Sequence, residues 1–120
     1  MSGKNHAIDY LEFPLVEYEA TKSFYPEVFG WEFQDWGPDY MCFVGAGINL
    51  GFNRSLQPAA ATNGVLVVIF AEDLEQTEAA VLAAGGKILR ETFEFPGGRR
   101  FQFADPNGNE LGVWTPTEQQ

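Results

Sequence analysis

Apolar and polar positions along residues 7–13 give the pattern of a strand. The spacing then changes. Over residues 17–29, Ala20, Phe24 and Val28 recur four apart, which predicts a helix with one apolar face, and Gly30 follows where a left-handed C-cap suits glycine. Three further strands are predicted at 31–36, 40–44 and 48–53, separated by Gly37-Pro38 and Gly45-Ala46-Gly47. After the small-residue spacer 58–63 the order repeats. A strand at 65–70 leads into a helix that opens on Asp73 with Gln76 three residues on, a capping-box spacing. Its apolar face is Leu74, Thr77, Val81 and Ala84, and Gly85-Gly86 stops it. Strands at 87–95, 99–103 and 111–114 complete a second βαβββ half.

The two halves are in register, since Gly30 to Gly85 is an offset of 55 and Tyr10 to Leu66 one of 56. Two such units, each unable to cover both faces of its own sheet, would place helices outside and curve their sheets about a cleft. The alternative is an α+β sandwich whose inner face is filled by its own aromatic side chains. Between the last two strands, Asp105-Pro106-Asn107-Gly108 has the composition of a tight turn: proline fixes φ, Asn and Gly tolerate positive φ, and Asp caps the turn through its own carboxylate.

Composition narrows the possibilities. With 120 residues, 45% apolar and 15% aromatic, the chain has enough material for one domain over 1–120, its halves at about 6–55 and 63–116. Seventeen acidic against seven basic residues give a net charge of -10, which opposes binding to nucleic acid. The chain shows neither a membrane-length apolar run nor a signal-peptide core, so a cytoplasmic protein without membrane attachment is expected. The single cysteine, Cys42, lies between Met41 and Phe43 and reads as a buried structural thiol rather than a nucleophile.

The stretch Phe101 to Trp114 around the Asp-Pro-Asn-Gly turn, with Ile8-Asp9-Tyr10-Leu11-Glu12-Phe13-Pro14 running into Phe24-Tyr25-Pro26-Glu27-Val28-Phe29-Gly30-Trp31, resembles the glyoxalase/bleomycin-resistance/extradiol-dioxygenase (vicinal oxygen chelate) superfamily over roughly residues 6–116. The resemblance implies an α+β fold of two βαβββ modules around a cleft. It also implies four metal-ligand positions, on the first and fourth strands of each module, which fall on Tyr10, Asn49, Leu66 and Gly112. Leu66 and Gly112 offer no donor, and a neutral phenol and an amide are poor ligands where imidazole, thiolate or carboxylate is wanted. No metal and no cofactor are therefore expected. His6, the one histidine, sits four residues before the first position and reads as a solvated tail residue.

By strand alternation Glu12 shares a face with Tyr10, and Glu110 and Trp114 share one with Gly112. A cleft carboxylate at Glu12 would act as general base or ligand anchor; otherwise it bonds to backbone or pairs with Arg99 or Arg100. Glu110 reads as a solvated loop-edge carboxylate. Of the adjacent Arg99 and Arg100 only one can face a cleft, where it would hold an anion, unless both neutralise Glu91 and Glu94. Trp31, Trp36, Tyr40, Phe43, Phe52 and Trp114 supply either ligand-stacking surface or core, with Trp36 and Tyr40 the more exposed. The expected ligand set is Tyr10, Glu12, Asn49, Leu66, Gly112, Trp114 and Arg100, around a planar or aromatic small molecule. Three functions remain open: a metal-free binding protein; an enzyme resembling lactoylglutathione lyase or a dioxygenase with Glu12 and Tyr10 as acid and base; and an interaction module. The resemblance also implies a homodimer.

Overall fold

The computed structural model describes residues 5–6, 8–57 and 64–117. Its elements are β1 (Tyr10–Pro14), α1 (Tyr18–Phe29), β2 (Glu32–Asp35), β3 (Tyr40–Val44), β4 (Asn49–Asn53), β5 (Val67–Phe70), α2 (Leu74–Ala83), β6 (Lys87–Phe95), β7 (Gly98–Ala104) and β8 (Glu110–Pro116). The fold is α+β, and βαβββ occurs twice. One sheet has the order β1-β4-β3-β2 and the other β5-β8-β7-β6. In each, the first strand runs parallel to the fourth and the other pairs are antiparallel. The first strand of each half starts later than its apolar pattern suggests, because Ile8 and Val65 are 72% and 85% exposed and make no ladder. The spacer at 58–63 lies outside the described residues.

Both helices cover one side of the sheets. Met41, Phe43, Leu50 and Phe52 of the first sheet and Phe101, Phe103, Leu111 and Val113 of the second are buried beneath them, with Leu74 and Val81 of α2. Each fully buried side chain of this size contributes roughly 1.5–3 kcal/mol. The buried face of α1 is Thr21, Phe24 and Tyr25, whereas Ala20 is exposed. This is a rotation from the face that the four-residue spacing predicts, and its cause is Tyr25. That ring lies 5.0 Å from Trp31, nearly parallel to it, and packs on Phe43 and Phe52, while its hydroxyl donates to Asp105 Oδ2 at 2.8 Å. Phe24 reaches the other sheet at Phe103, 6.0 Å between centroids. A single helix thus packs against both halves.

The helices are capped differently. Asp73 accepts from the Gln76 amide at 3.0 Å, as its spacing predicts, so α2 caps itself. At the start of α1, Glu17 makes no side-chain cap. The segment entering the helix is instead anchored by Asn107, whose Oδ1 accepts from the amides of Val16 (2.6 Å) and Glu17 (2.8 Å) and from the Thr21 hydroxyl (3.1 Å). Asn107 sits in the predicted turn. There Asp105 Oδ1 accepts from the amides of Asn107 and Asn109, Gly108 takes φ 93°, and Asn109 Nδ2 donates to Pro14 O at 2.9 Å. The turn therefore clamps β1 and α1 as well as closing its own hairpin.

Candidate functional site

The sheet faces turned away from the helices carry the chemistry. On the first sheet, alternation places Tyr10, Glu12, Tyr40, Cys42, Gly51 and Asn53 there, because Leu11, Phe13, Phe43, Leu50 and Phe52 point into the core. The Tyr10 and Tyr40 hydroxyls share a hydrogen bond, and Tyr10 Oη lies 3.2 Å from Cys42 Sγ. Cys42 is thus half-buried on the open face, in contact with a phenol, rather than a sealed core thiol. Loss of solvent around its hydroxyl, followed by the bonds to Cys42 and Tyr40, pushes the Tyr10 phenol well above the ordinary phenol range. Tyr40 is also raised, chiefly by burial; its bond to Tyr10 pulls the other way and the neighbouring Glu12 adds to the rise. Glu12 accepts from Asn53 Nδ2 at 3.4 Å. Both phenols therefore stay protonated at neutral pH, as hydrogen-bond donors rather than bases.

Gly51 makes this cluster possible. A Cβ there would lie 2.1 Å from Tyr40 Oη and 2.2 Å from Tyr10 Oη, so only glycine lets the two phenols lie over β4. Register also gives it a counterpart. Gly112 pairs with Val68, and the offset of 56 makes Val68 the equivalent of Glu12, whose partner is Gly51. The first-half counterpart of Gly112 is thus Gly51, two residues beyond Asn49. Asn49 itself is exposed and pairs with Tyr10, while Leu66 precedes β5, half-buried.

On the second sheet the open face holds Phe70, Phe93, Phe95, Arg100, Gln102, Glu110, Gly112 and Trp114, opposite the core residues Phe101, Phe103, Leu111 and Val113. Four rings form a wall: Phe93 to Phe95 at 6.3 Å, Phe95 to Trp114 at 6.4 Å and Trp114 to Phe70 at 6.0 Å. Around Gly112 a Cβ would meet its neighbours at 3.5–3.7 Å, ordinary van der Waals contact. Glu110 is half-buried and accepts from Gln102 Nε2 at 2.7 Å, so it is not the solvated carboxylate that its place after a turn suggests. The two arginines part company. Arg99 is bonded to Glu75 of α2, while Arg100 lies over Phe93 and Phe95. Neither reaches Glu12.

Of the aromatic set named from sequence, Trp31, Phe43 and Phe52 are core, Trp36 is 64% exposed, and Tyr40 and Trp114 belong to the open faces. Sequence reasoning missed Gly51, Phe70, Phe93 and Phe95. For Gly51 the buried Phe52 beside it on β4, and for Phe70 the core-facing Val67 and Ile69 on β5, were the signal available. A cavity of about 290 Å³ between the halves brings Glu12 and Glu110 to one rim, and another of about 360 Å³ runs along the facing edges of β1 and β5, lined by Leu11, Phe13, Val67 and Ile69. Among the described residues, no group of three or more His, Cys, Asp or Glu is placed to hold a metal ion.

Residues 7–113 match the family profile of the Glyoxalase/Bleomycin resistance protein/Dioxygenase superfamily. The chain belongs to this superfamily. Solved structures of superfamily proteins share its fold at low identity. A glyoxalase/bleomycin resistance protein/dioxygenase family enzyme from Burkholderia phytofirmans PsJN superposes with a TM-score of 0.76 at 16% identity, covering 91% of this chain and 98% of that one. A glyoxalase-related enzyme from Fulvimarina pelagi gives 0.75 at 21% identity, over 92% and 88%. A glyoxalase/bleomycin resistance protein from Albidiferax ferrireducens T118 gives 0.73 at 18%, over 92% and 98%. No curated protein matches the chain. Superfamily members at this distance share architecture, and function rests on the site. Among the described residues no helix is long and apolar enough to cross a membrane.

Proposed function

We propose that this chain is a metal-free small-molecule-binding member of the superfamily, one domain over 1–120, that takes an aromatic or planar ligand on the open faces of its two sheets. The observation that carries the reading is the wall Phe93–Phe95–Trp114–Phe70 beside the side-chain-free Gly112, with Phe70 55% exposed. Such rings stack on a flat molecule, and the protonated Tyr10 and Tyr40 hydroxyls with Glu12, Asn49 and Asn53 supply a few hydrogen bonds. Leu66, Trp114 and Arg100 complete the proposed ligand set. Homodimerisation belongs to the same reading, since Tyr10, Val68 and Phe70 leave 41%, 38% and 55% of their surface uncovered in one copy. A cytoplasmic location accords with a single free thiol.

Screening planar compounds by thermal shift tests the proposal. Hits are expected to lose binding in Gly112→Trp, which fills the space beside Val68 and Gln102, and to weaken in Tyr10→Ala. Hits indifferent to both would move the site elsewhere. Chelator is expected to leave the melting temperature unchanged; a fall on chelation reversed by nickel, zinc or iron would overturn the metal-free reading. A sedimentation mass near 13.3 kDa at micromolar concentration would overturn the dimer. The second reading, an enzyme with Tyr10 and Glu12 as acid and base, draws on the contact between Tyr10 Oη and Cys42 Sγ beside Glu12 on one sheet face; the raised phenol counts against it, because a general acid works best with a pKa near the working pH.

A further inference from the structure

We infer that the ligand is a monoanionic aromatic acid whose ring lies on the aromatic wall and whose carboxylate is gripped by Arg90 and Arg100; this rests on the planar-ligand reading above. The two arginines converge on one ring. The Arg90 guanidinium carbon is 3.6 Å from the Phe93 centroid, and that of Arg100 is 5.2 Å from the same ring and 5.8 Å from Phe95. They meet there because Arg90 pairs with Gln102 and Phe93 with Arg100 across β6 and β7, on either side of a register shift that swings Arg90 over Phe93.

Stacking on a ring leaves the edges of a guanidinium free to donate in plane. The Arg100 Nε is buried and has no hydrogen-bond partner. Among the described residues the ion pairs are Arg54 with Asp39 and Arg99 with Glu75, so neither Arg90 nor Arg100 is neutralised by a carboxylate. Both guanidinium groups thus lie against the Phe93 ring without a carboxylate partner, in a chain of seventeen acidic residues. Like charges brought to one ring repel each other, and an anion between them removes that repulsion. A carboxylate fits best, because two guanidinium forks match its planar oxygens, and because the net charge of -10 repels an anion of higher charge more strongly. The ring of the ligand then continues onto Phe95 and Trp114.

The test is calorimetric titration of the wild-type protein with naphthoate, naphthylmethanol and naphthylmethylamine, which share a ring and differ in charge. Naphthoate is expected to bind at least about tenfold more tightly than the alcohol, with the preference shrinking as salt rises, and the amine is expected to bind weakest. Arg100→Gln is expected to weaken naphthoate by roughly 10- to 100-fold and leave the alcohol unchanged. Arg90→Gln should act in the same direction, and Arg99→Gln should do nothing. If Arg100→Gln fails to fold, Arg100→Lys and the exposed Arg90→Gln decide the matter. Equal affinity for naphthoate and alcohol, or naphthoate binding unmoved by the Arg90 and Arg100 variants, would overturn the inference while the planar-ligand reading stood. Failure of all three compounds to bind would overturn both.

Discussion

Replacing Asn107 by alanine is expected to loosen α1, which begins 89 positions earlier in the chain. Asn107 is 6% exposed, and its Oδ1 is the acceptor for two amides and one hydroxyl at the start of that helix. The Thr21 hydroxyl keeps its 2.6 Å bond to Glu17 O, so two backbone donors are left without their partner. An orphaned buried donor costs about 1–3 kcal/mol; because the side chains of Val16 and Glu17 are exposed, water can reach part of the gap, and about 2–3 kcal/mol in total is expected for the two. With an unfolding entropy near 2.1 cal/mol/K per residue, that corresponds to a fall in melting temperature of roughly 8–12 °C. Urea denaturation followed by tryptophan fluorescence measures it, since Trp31 stacks on Tyr25 of the same helix. Asn107→Asp should be worse than alanine at neutral pH, because it sets a second carboxylate beside buried Asp105, and should recover as pH falls. A loss below about 0.5 kcal/mol for the alanine variant, at unchanged m-value, would refute the anchoring role.

Burial holds the Asp105 carboxyl above its ordinary 3.8, against the opposing pull of Tyr25, Asn109 and Asn107. The folded chain then holds that proton more tightly than the unfolded one, so this group's contribution is fully present below pH 3.8 and is lost as pH rises through the folded value. Stability curves of wild type and Asp105→Asn should differ by a segment that descends with pH just above 3.8; an ascending segment would contradict the argument. The two central glycines should behave oppositely. Gly51→Ala drives a methyl group into both phenols and is expected to cost about 1–3 kcal/mol and break the Tyr10–Tyr40 bond, while Gly112→Ala finds open contact distances and is expected to be neutral or stabilising by up to about 1 kcal/mol. Paired thermal melts check this.

The periodicity of the sequence carried most of the fold because each half obeys it locally. Gly30 at φ 74° and Asp73 bonded to Gln76 are where their residue types place them. The α1 face was misread because Tyr25 is buried by a distant partner, Asp105, that no local spacing reveals. The same holds for Asn107, which looks like an ordinary turn residue until its acceptor is found to serve another element. The shared face of Tyr10 and Glu12, and that of Glu110, Gly112 and Trp114, were legible from strand alternation. Phe93 and Phe95 were not, since the register shifts in β6 break the two-residue period between Arg90 and Phe93. Cys42 was misjudged for a related reason. Its apolar neighbours Met41 and Phe43 point to the other side of the strand and say nothing about its own.

The clamp formed by Asp105, Asn107 and Asn109 also sets an order of assembly. Its bonds to Pro14, Val16, Glu17, Thr21 and Tyr25 span 80 to 95 positions. During synthesis the first half leaves the ribosome without these bonds, and the residues that supply them emerge 80 to 95 positions later. The repeated halves are therefore not independent copies: the later one supplies bonds that the entry to the earlier one's helix cannot make alone. A fragment ending before Asp105 would lack the anchor of the segment entering its first helix, while the second half carries Asp73 and caps its own.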